Sequence, residues 1–339
     1  MSRTATGFTL LAVIALAACE GNEKASVKAD VTTPSTAESG ATDGTPVTTT
    51  SSPSTVSAPV TYADAESSFH RGDYAEATTK FDTYTRDNPD NAWGQYMLGL
   101  SAWKSGQHDR ALQAFDAALQ IAPNHRKSLL NSARVLLETN QPEEALARVQ
   151  KCLSIEPMSG EALRLLGRAQ ADLGHFDEAV DAYQRALALD DKDVWTMNNL
   201  GYLYIQQGRP DAALPPLARA VEIRGNAPVF QNNLGSALEA TGHLAAAKSA
   251  YENALAADST YEKASVGLTR VTARIEGTDT VSVDLAGLSQ QFQEEIEGWK
   301  TAEAPVDSTV SDSAVTDSAT ADSATTDSSQ AMVRDSVSQ

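Results

Sequence analysis

From Ala58 to Tyr261 the chain repeats itself every 34 residues, six times and without an insertion, so it must fold six copies of one unit. One column is alanine throughout: Ala77, Ala111, Ala145, Ala179, Ala213 and Ala247. A second stays small, at Ala65, Gly99, Ala133, Gly167, Gly201 and Gly235. A third reads Gly72, Gly106, Asn140, Gly174, Gly208 and Gly242, residues that tolerate positive φ and so mark the turn between two helices. A fourth is bulky: Phe81, Phe115, Val149, Tyr183, Leu217 and Tyr251. Two helices that cross closely at small residues, with a large side chain beside the crossing, account for all four columns. The spacing predicts an all-α array of helix-turn-helix units.

The period, with Gly-x-x-Tyr at Gly201 to Tyr204, Ala-x-x-x-Phe at Ala111 to Phe115, and Pro89, Pro123 and Pro157 closing the first three units, resembles the tetratricopeptide repeat family. The resemblance implies a right-handed superhelical solenoid of units 58–91, 92–125, 126–159, 160–193, 194–227 and 228–261, whose concave groove is lined by the first helix of each. Residues 262–276 continue the phase and read as a capping helix. Pro215 and Pro216 depart from the pattern, because each removes a donor inside the second helix of repeat five and should kink it. Asp64 stands where repeats two, four, five and six carry Leu98, Leu166, Leu200 and Leu234, which suits an end unit.

Residues 1–18 hold one Arg and an apolar run too short to span a bilayer, so they read as an export signal. The string Leu16-Ala17-Ala18-Cys19 resembles a bacterial lipobox, which implies cleavage before Cys19 and its acylation. Glu20 follows. By resemblance to lipoprotein sorting this implies an outer-membrane anchor facing the periplasm. Residues 19–57 are rich in Thr, Ser, Ala, Pro and Gly with almost no large apolar side chain and are expected to form a disordered tether. With Cys19 lipidated, Cys152 has no disulfide partner and reads as a small buried side chain.

Leu285, Leu288, Phe292, Ile296 and Trp299 recur at helical steps, giving an amphipathic helix over 284–300. It is expected to pack on the last repeat, with partner binding or self-association as the alternatives. The tail from 301 to 339 repeats Asp-Ser every five residues and is expected to be disordered. Residues 277–339 carry 12 acidic and 2 basic residues, a net of −10 against −19 for the whole chain. That acidity argues against nucleic acid as a partner.

Five histidines lack the spacing of a helix-borne metal site, and neither a phosphate loop nor a nucleophile elbow occurs. The sequence therefore gives no reason to expect catalysis, a cofactor or a metal. In the family the groove is lined chiefly by columns 2, 5, 6, 9, 12 and 13, counting Ala58 as the first position of repeat one. Carried onto this chain, repeats three and four place Lys127, Arg134, Arg164 and Arg168 there, with Glu138, Glu161 and Asp172 as counterweights. Repeats two and five place Trp93, Tyr96, Trp103, Trp195 and Tyr202. Arg and aromatic residues are enriched at interaction hot spots. Column 6 carries Asn131, Asn199 and Asn233 and resembles part of the asparagine ladder of O-linked N-acetylglucosamine transferases, interrupted at Leu165. Arg134 and Arg168 are expected to be exposed and to engage a carboxylate.

These features lead to the expectation of a non-catalytic scaffold, anchored through lipid, that binds a protein or peptide partner in envelope assembly. By layout it resembles outer-membrane repeat lipoproteins serving pilus, envelope or wall synthesis. An accessory protein or enzyme acting on envelope glycan through the groove aromatics, and a structural homo-oligomer through the helix at 284–300, are its rivals.

Overall fold

The computed structural model describes residues 59–275 and 282–302, so the signal, the Cys19 site, the tether and the tail beyond Ala302 lie outside the described residues. Helices alternate with short turns, and no strand occurs among the described residues. The repeats are α1 (Tyr62–His70) with α2 (Tyr74–Asp87), α3 (Ala92–Lys104) with α4 (His108–Ile121), and α5 (Arg126–Glu138) with α6 (Pro142–Ile155). They continue as α7 (Gly160–Asp172) with α8 (Phe176–Leu189), α9 (Val194–Gln206) with α10 (Pro210–Ile223), and α11 (Pro228–Ala240) with α12 (Leu244–Ala257). Two further helices follow, α13 (Glu262–Arg274) and α14 (Leu285–Ala302).

Each recurring column has a visible cause. The turn column takes positive φ in every repeat, including Asn140 at 58°, the conformation that an ordinary side chain resists. The small column of each first helix faces the bulky column of its partner. A Cβ placed on Gly99 would lie 2.6 Å from Phe115, one on Gly167 2.5 Å from Tyr183, and one on Gly235 2.8 Å from Tyr251. The invariant alanines are fully buried. First helices begin at side-chain caps where the sequence offers one: Thr61 and Asp64 form a capping box on α1, and Asn91, Ser159 and Asp193 cap α3, α7 and α9.

The array ends on α13, which is clamped by charge. Glu239 of α11 is buried and accepts bonds from Arg270 Nε at 2.6 Å, Arg274 Nη1 at 2.8 Å and the Tyr251 hydroxyl at 3.1 Å. Burial alone would raise that carboxyl, but these donors bring it below its ordinary value.

The position of α14 corrects the sequence expectation. Its main seat is along the second helices of repeats five and four, α10 and α8, and only its start, at Leu285, borders α12 of the last repeat. Phe292 and Ile296 are 1% and 0% exposed, in one cluster with Leu187, Ala220 and Trp299. Its apolar stripe is thus used within the chain.

The seat explains the anomaly of repeat five. The outward column holding Thr79, Gln113, Ala147, Asp181 and Ser249 is exposed in every other repeat, while Pro215 at that position is buried. Another column carries Asp82, Asp116, Gln150, Gln184 and Glu252 but Ala218 in repeat five, and Ala218 is buried too. Apolar residues all round make a helix fit to be covered, and the helix continues through both prolines.

Candidate partner-binding face

The first helices form one row, each touching the first helix of the next repeat from α1 to α13. Equivalent columns on neighbours therefore lie side by side, and most side chains of that face bond across the repeat boundary. Trp103 Nε1 donates to Glu138 at 2.7 Å, Arg134 pairs with Glu161, and Asn233 Nδ2 donates to Asn198 at 2.9 Å, while Arg164 Nη1 donates at 2.6 Å to Asp193, the last residue of its own repeat and the cap of the next first helix.

At repeats two and three the face is aromatic. Trp93 is 41% exposed, yet its indole N–H is spent on the Tyr62 hydroxyl at 2.6 Å. Lys127 Nζ stands 5.0 Å from its ring centre, and the His125 ring meets it edge-on at 5.6 Å. Tyr96 is buried beside it, its hydroxyl accepting from Asn131 Nδ2 at 3.2 Å, while Asn131 Oδ1 accepts from Arg134 Nη1 at 2.6 Å. Burial holds Tyr96 above its ordinary pKa and holds His125, also pushed by Lys127, below its own.

At repeats four and five the face carries Arg164 and Arg168 among the acids Glu161, Asp172 and Asp193, and it is largely covered. Arg164 is mostly buried, and its partner Asp193 also caps α9 by accepting from the Trp195 and Thr196 amides at 3.1 and 3.3 Å. Arg168, one turn along, is 8% exposed. Its Nε lies 3.9 Å from Asp172 and has no hydrogen-bond partner among the described residues. Asp172 ends α7 with exposed backbone, but its side chain is largely covered, and burial raises its pKa against the pull of Arg168. Burial, then Asp172, raises Tyr202, and the wholly buried Tyr183 is raised for the same two reasons. The Nε of Arg164 is unsatisfied as well.

At repeats five and six the face is rich in side-chain amides, and its buried acid, Glu239, is spent on Arg270 and Arg274. Asn232 Nδ2 donates to Asn233 Oδ1 at 3.2 Å, and the Trp195 ring sits 4.9 Å from Phe230. Asn199 is half-buried.

The structure thus brings Trp93, Tyr96, Lys127, Asn131 and Arg134 into one contact group, and sets Arg164 one turn before Arg168, whose ion-pair partner Asp172 also acts on Tyr202. Trp195 and Asn199 lie beyond these, and Asn233 lies one repeat further. The expected exposure of Arg134 and Arg168 is corrected. Both are largely covered, because a first-helix residue faces the next repeat as much as solvent, and Arg134 is held by Asn131 and Glu161. Sequence reasoning passed over Asp193 and Tyr62. Asp193 ends repeat four just before the first apolar residue of α9, the position of an N-cap, and that was the available signal. Among the described residues no group of three or more His, Cys, Asp or Glu is placed to hold a metal, and no helix is long and apolar enough to cross a membrane.

The sequence matches the family described as the cytochrome c-type biogenesis protein H TPR domain over residues 82–194, and tetratricopeptide repeat families over 170–234 and 230–261. The chain is a tetratricopeptide repeat protein. Its helix pairs form the solenoid of that family, with α13 as the cap. No curated protein matches it. Among solved structures, PilW, described as a widely conserved type IV pilus biogenesis factor, is 20% identical with a TM-score of 0.55, over 60% of this chain and 94% of PilW. The Cut9 and Hcn1 hetero-tetramer of APC/C gives 19% identity and 0.55, over 62% of this chain and 41% of the other. MamA from Desulfovibrio magneticus RS-1 gives 23% and 0.44, over 47% and 90%. These likenesses are of fold.

Proposed function

We propose that this tetratricopeptide repeat protein is a non-catalytic scaffold, lipid-anchored at Cys19 to the periplasmic side of the outer membrane, that holds an acidic protein or peptide segment on its first-helix face during envelope assembly. The supporting observation is Arg168. A guanidinium is a planar fork of donors that suits a carboxylate, and this one is nine-tenths buried with a single ion pair too long for a hydrogen bond. A buried donor without a partner is costly. A carboxylate from a partner, entering between Arg164, Arg168 and Tyr202, removes that cost. The half-buried Asn199 extends the face with a side chain able to bond a backbone amide.

The test captures partners from native envelopes with the lipid anchor intact. Wild type should recover a partner that Arg168→Met loses while keeping its helical signal. Equal recovery by both removes this site. The anchor is tested separately: Cys19→Ser should give an uncleaved or soluble exported form, and an unchanged membrane-bound mass would contradict lipidation.

A glycan-binding reading is favoured by Trp93, whose exposed ring offers a stacking face. Retention of the purified protein on peptidoglycan, lost in Trp93→Ala, would support that reading over the peptide one.

A further inference from the structure

We infer that α14 is a strap whose seat on the second helices fixes the groups that line the first-helix face at repeats four and five. The connection runs through one turn. Lys300 Nζ near the end of α14 bonds Asp191 at 2.7 Å, and Gln293 Nε2 reaches the same carboxylate at 3.5 Å. Asp191 lies in the tight turn between α8 and α9, in which the Asp193 amide donates to the Asp190 carbonyl at 3.2 Å and the Lys192 amide to the Asp190 side chain at 3.0 Å. Two residues after Asp191, Asp193 holds both Arg164 and the first amides of α9. A strap bonded to one side of a turn this short constrains the carboxylate on its other side.

A second connection is packing. Phe292 and Ile296 belong to the same apolar cluster as Val194, Met197 and Phe230, with Trp195 packed against it. Close-packed side chains transmit displacement because they leave no void to absorb it. Two further latches set the register of α14 on α10: Ser289 donates to Glu222, and Arg219 Nη2 donates to Gln293 at 2.9 Å. The outward columns of repeat five, changed to Pro215 and Ala218, make the seat specific to this place in the array. Linkage between two sites is reciprocal. Under the reading of repeats four and five as the binding face, a partner that orders Arg164 tightens the strap, and loosening the strap weakens the partner.

The experiment is amide hydrogen exchange on the full chain without any partner, so its result is independent of whether the proposed binding face is right. Ile296→Asp places a charge at a fully buried position and should unseat α14. The expected result is faster exchange in α14 and at least fivefold faster exchange at Trp195 to Asn198, with α3 and α5 unchanged. Faster exchange in α14 alone overturns the inference. If Ile296→Asp loosens α3 and α5 as well, Lys300→Gln decides, since it leaves the apolar seat intact. Faster exchange confined to the turn and the start of α9 supports the strap, and an unchanged pattern there overturns it.

Discussion

Two carboxylates at the ends of repeat-four helices differ in how well they are met. Asp191, where α14 lies, accepts from Lys300 at 2.7 Å, which holds it below the ordinary value. Asp172, at the end of α7, stands 3.9 Å from Arg168 without a hydrogen bond, and burial pushes it up. One side of repeats four and five is closed by polar latches over a buried apolar seam. The other keeps a buried cation and a largely covered acid whose bonds are incomplete. Both sides keep a guanidinium Nε without a partner among the described residues, Arg219 on the strap side and Arg164 and Arg168 on the other. Arg219 is held through its other nitrogens by Glu222 and Gln293, while Arg168 has no hydrogen bond, and that difference marks which side is available to a ligand.

The largest expected effect is on the closed side. Phe292→Ala empties a fully buried ring position and should cost roughly 3–5 kcal/mol, read as a lower urea midpoint. A loss under about 1 kcal/mol would mean that α14 is not part of the folded array. Next come the two arginines of α7. Arg164→Met strands Asp193, which is largely covered, and should cost on the order of 1–3 kcal/mol. Arg168→Met removes a cation with no hydrogen bond to lose and should cost less. The reverse order would break the contrast between an arginine bonded through its Nη1 and one with no hydrogen bond.

Smaller effects come from pH. The folded pKa of Asp191 lies below its ordinary 3.8, so its stabilisation is present above that value and fades as pH falls through the lowered one. Asp172 has the opposite sign. Its folded pKa lies above 3.8, so its contribution is present in acid and is lost as pH rises through the raised value. At pH 7, Asp172→Asn should therefore leave stability unchanged or higher, while Asp191→Asn lowers it. Urea unfolding of both variants between pH 3 and pH 8 checks the sign, and equal losses from the two would contradict it.

Much of the fold was legible because one physical demand recurs six times. A close helix crossing needs Gly99, Gly167 or Gly235 opposite a bulky ring, and a tight turn needs Gly72 or Asn140, so the columns state both. The binding face was legible in residue type and not in bonding. Arg134 is held by Glu161 one repeat on and Arg164 by Asp193 at the close of its own repeat, where α9 begins, at offsets that follow only once the first helices lie side by side. The seat of α14 was written in the sequence as departures: Pro215 and Ala218 replace outward residues that are mostly polar elsewhere. Read as faults in a helix, the prolines pointed to a kink; together with Ala218 they describe a face made to be covered.

The most direct measurement follows the arginine Nε–H signals of the full chain by NMR while a tetraglutamate peptide with a free C-terminus is added. The account predicts saturable shifts at Arg164 and Arg168, absent in Arg168→Met, with the signals of Arg110 and Arg148 on the second-helix face unmoved. Shifts spread evenly over all arginines, or saturable binding that survives in Arg168→Met, would contradict an open site on the first helices of repeats four and five.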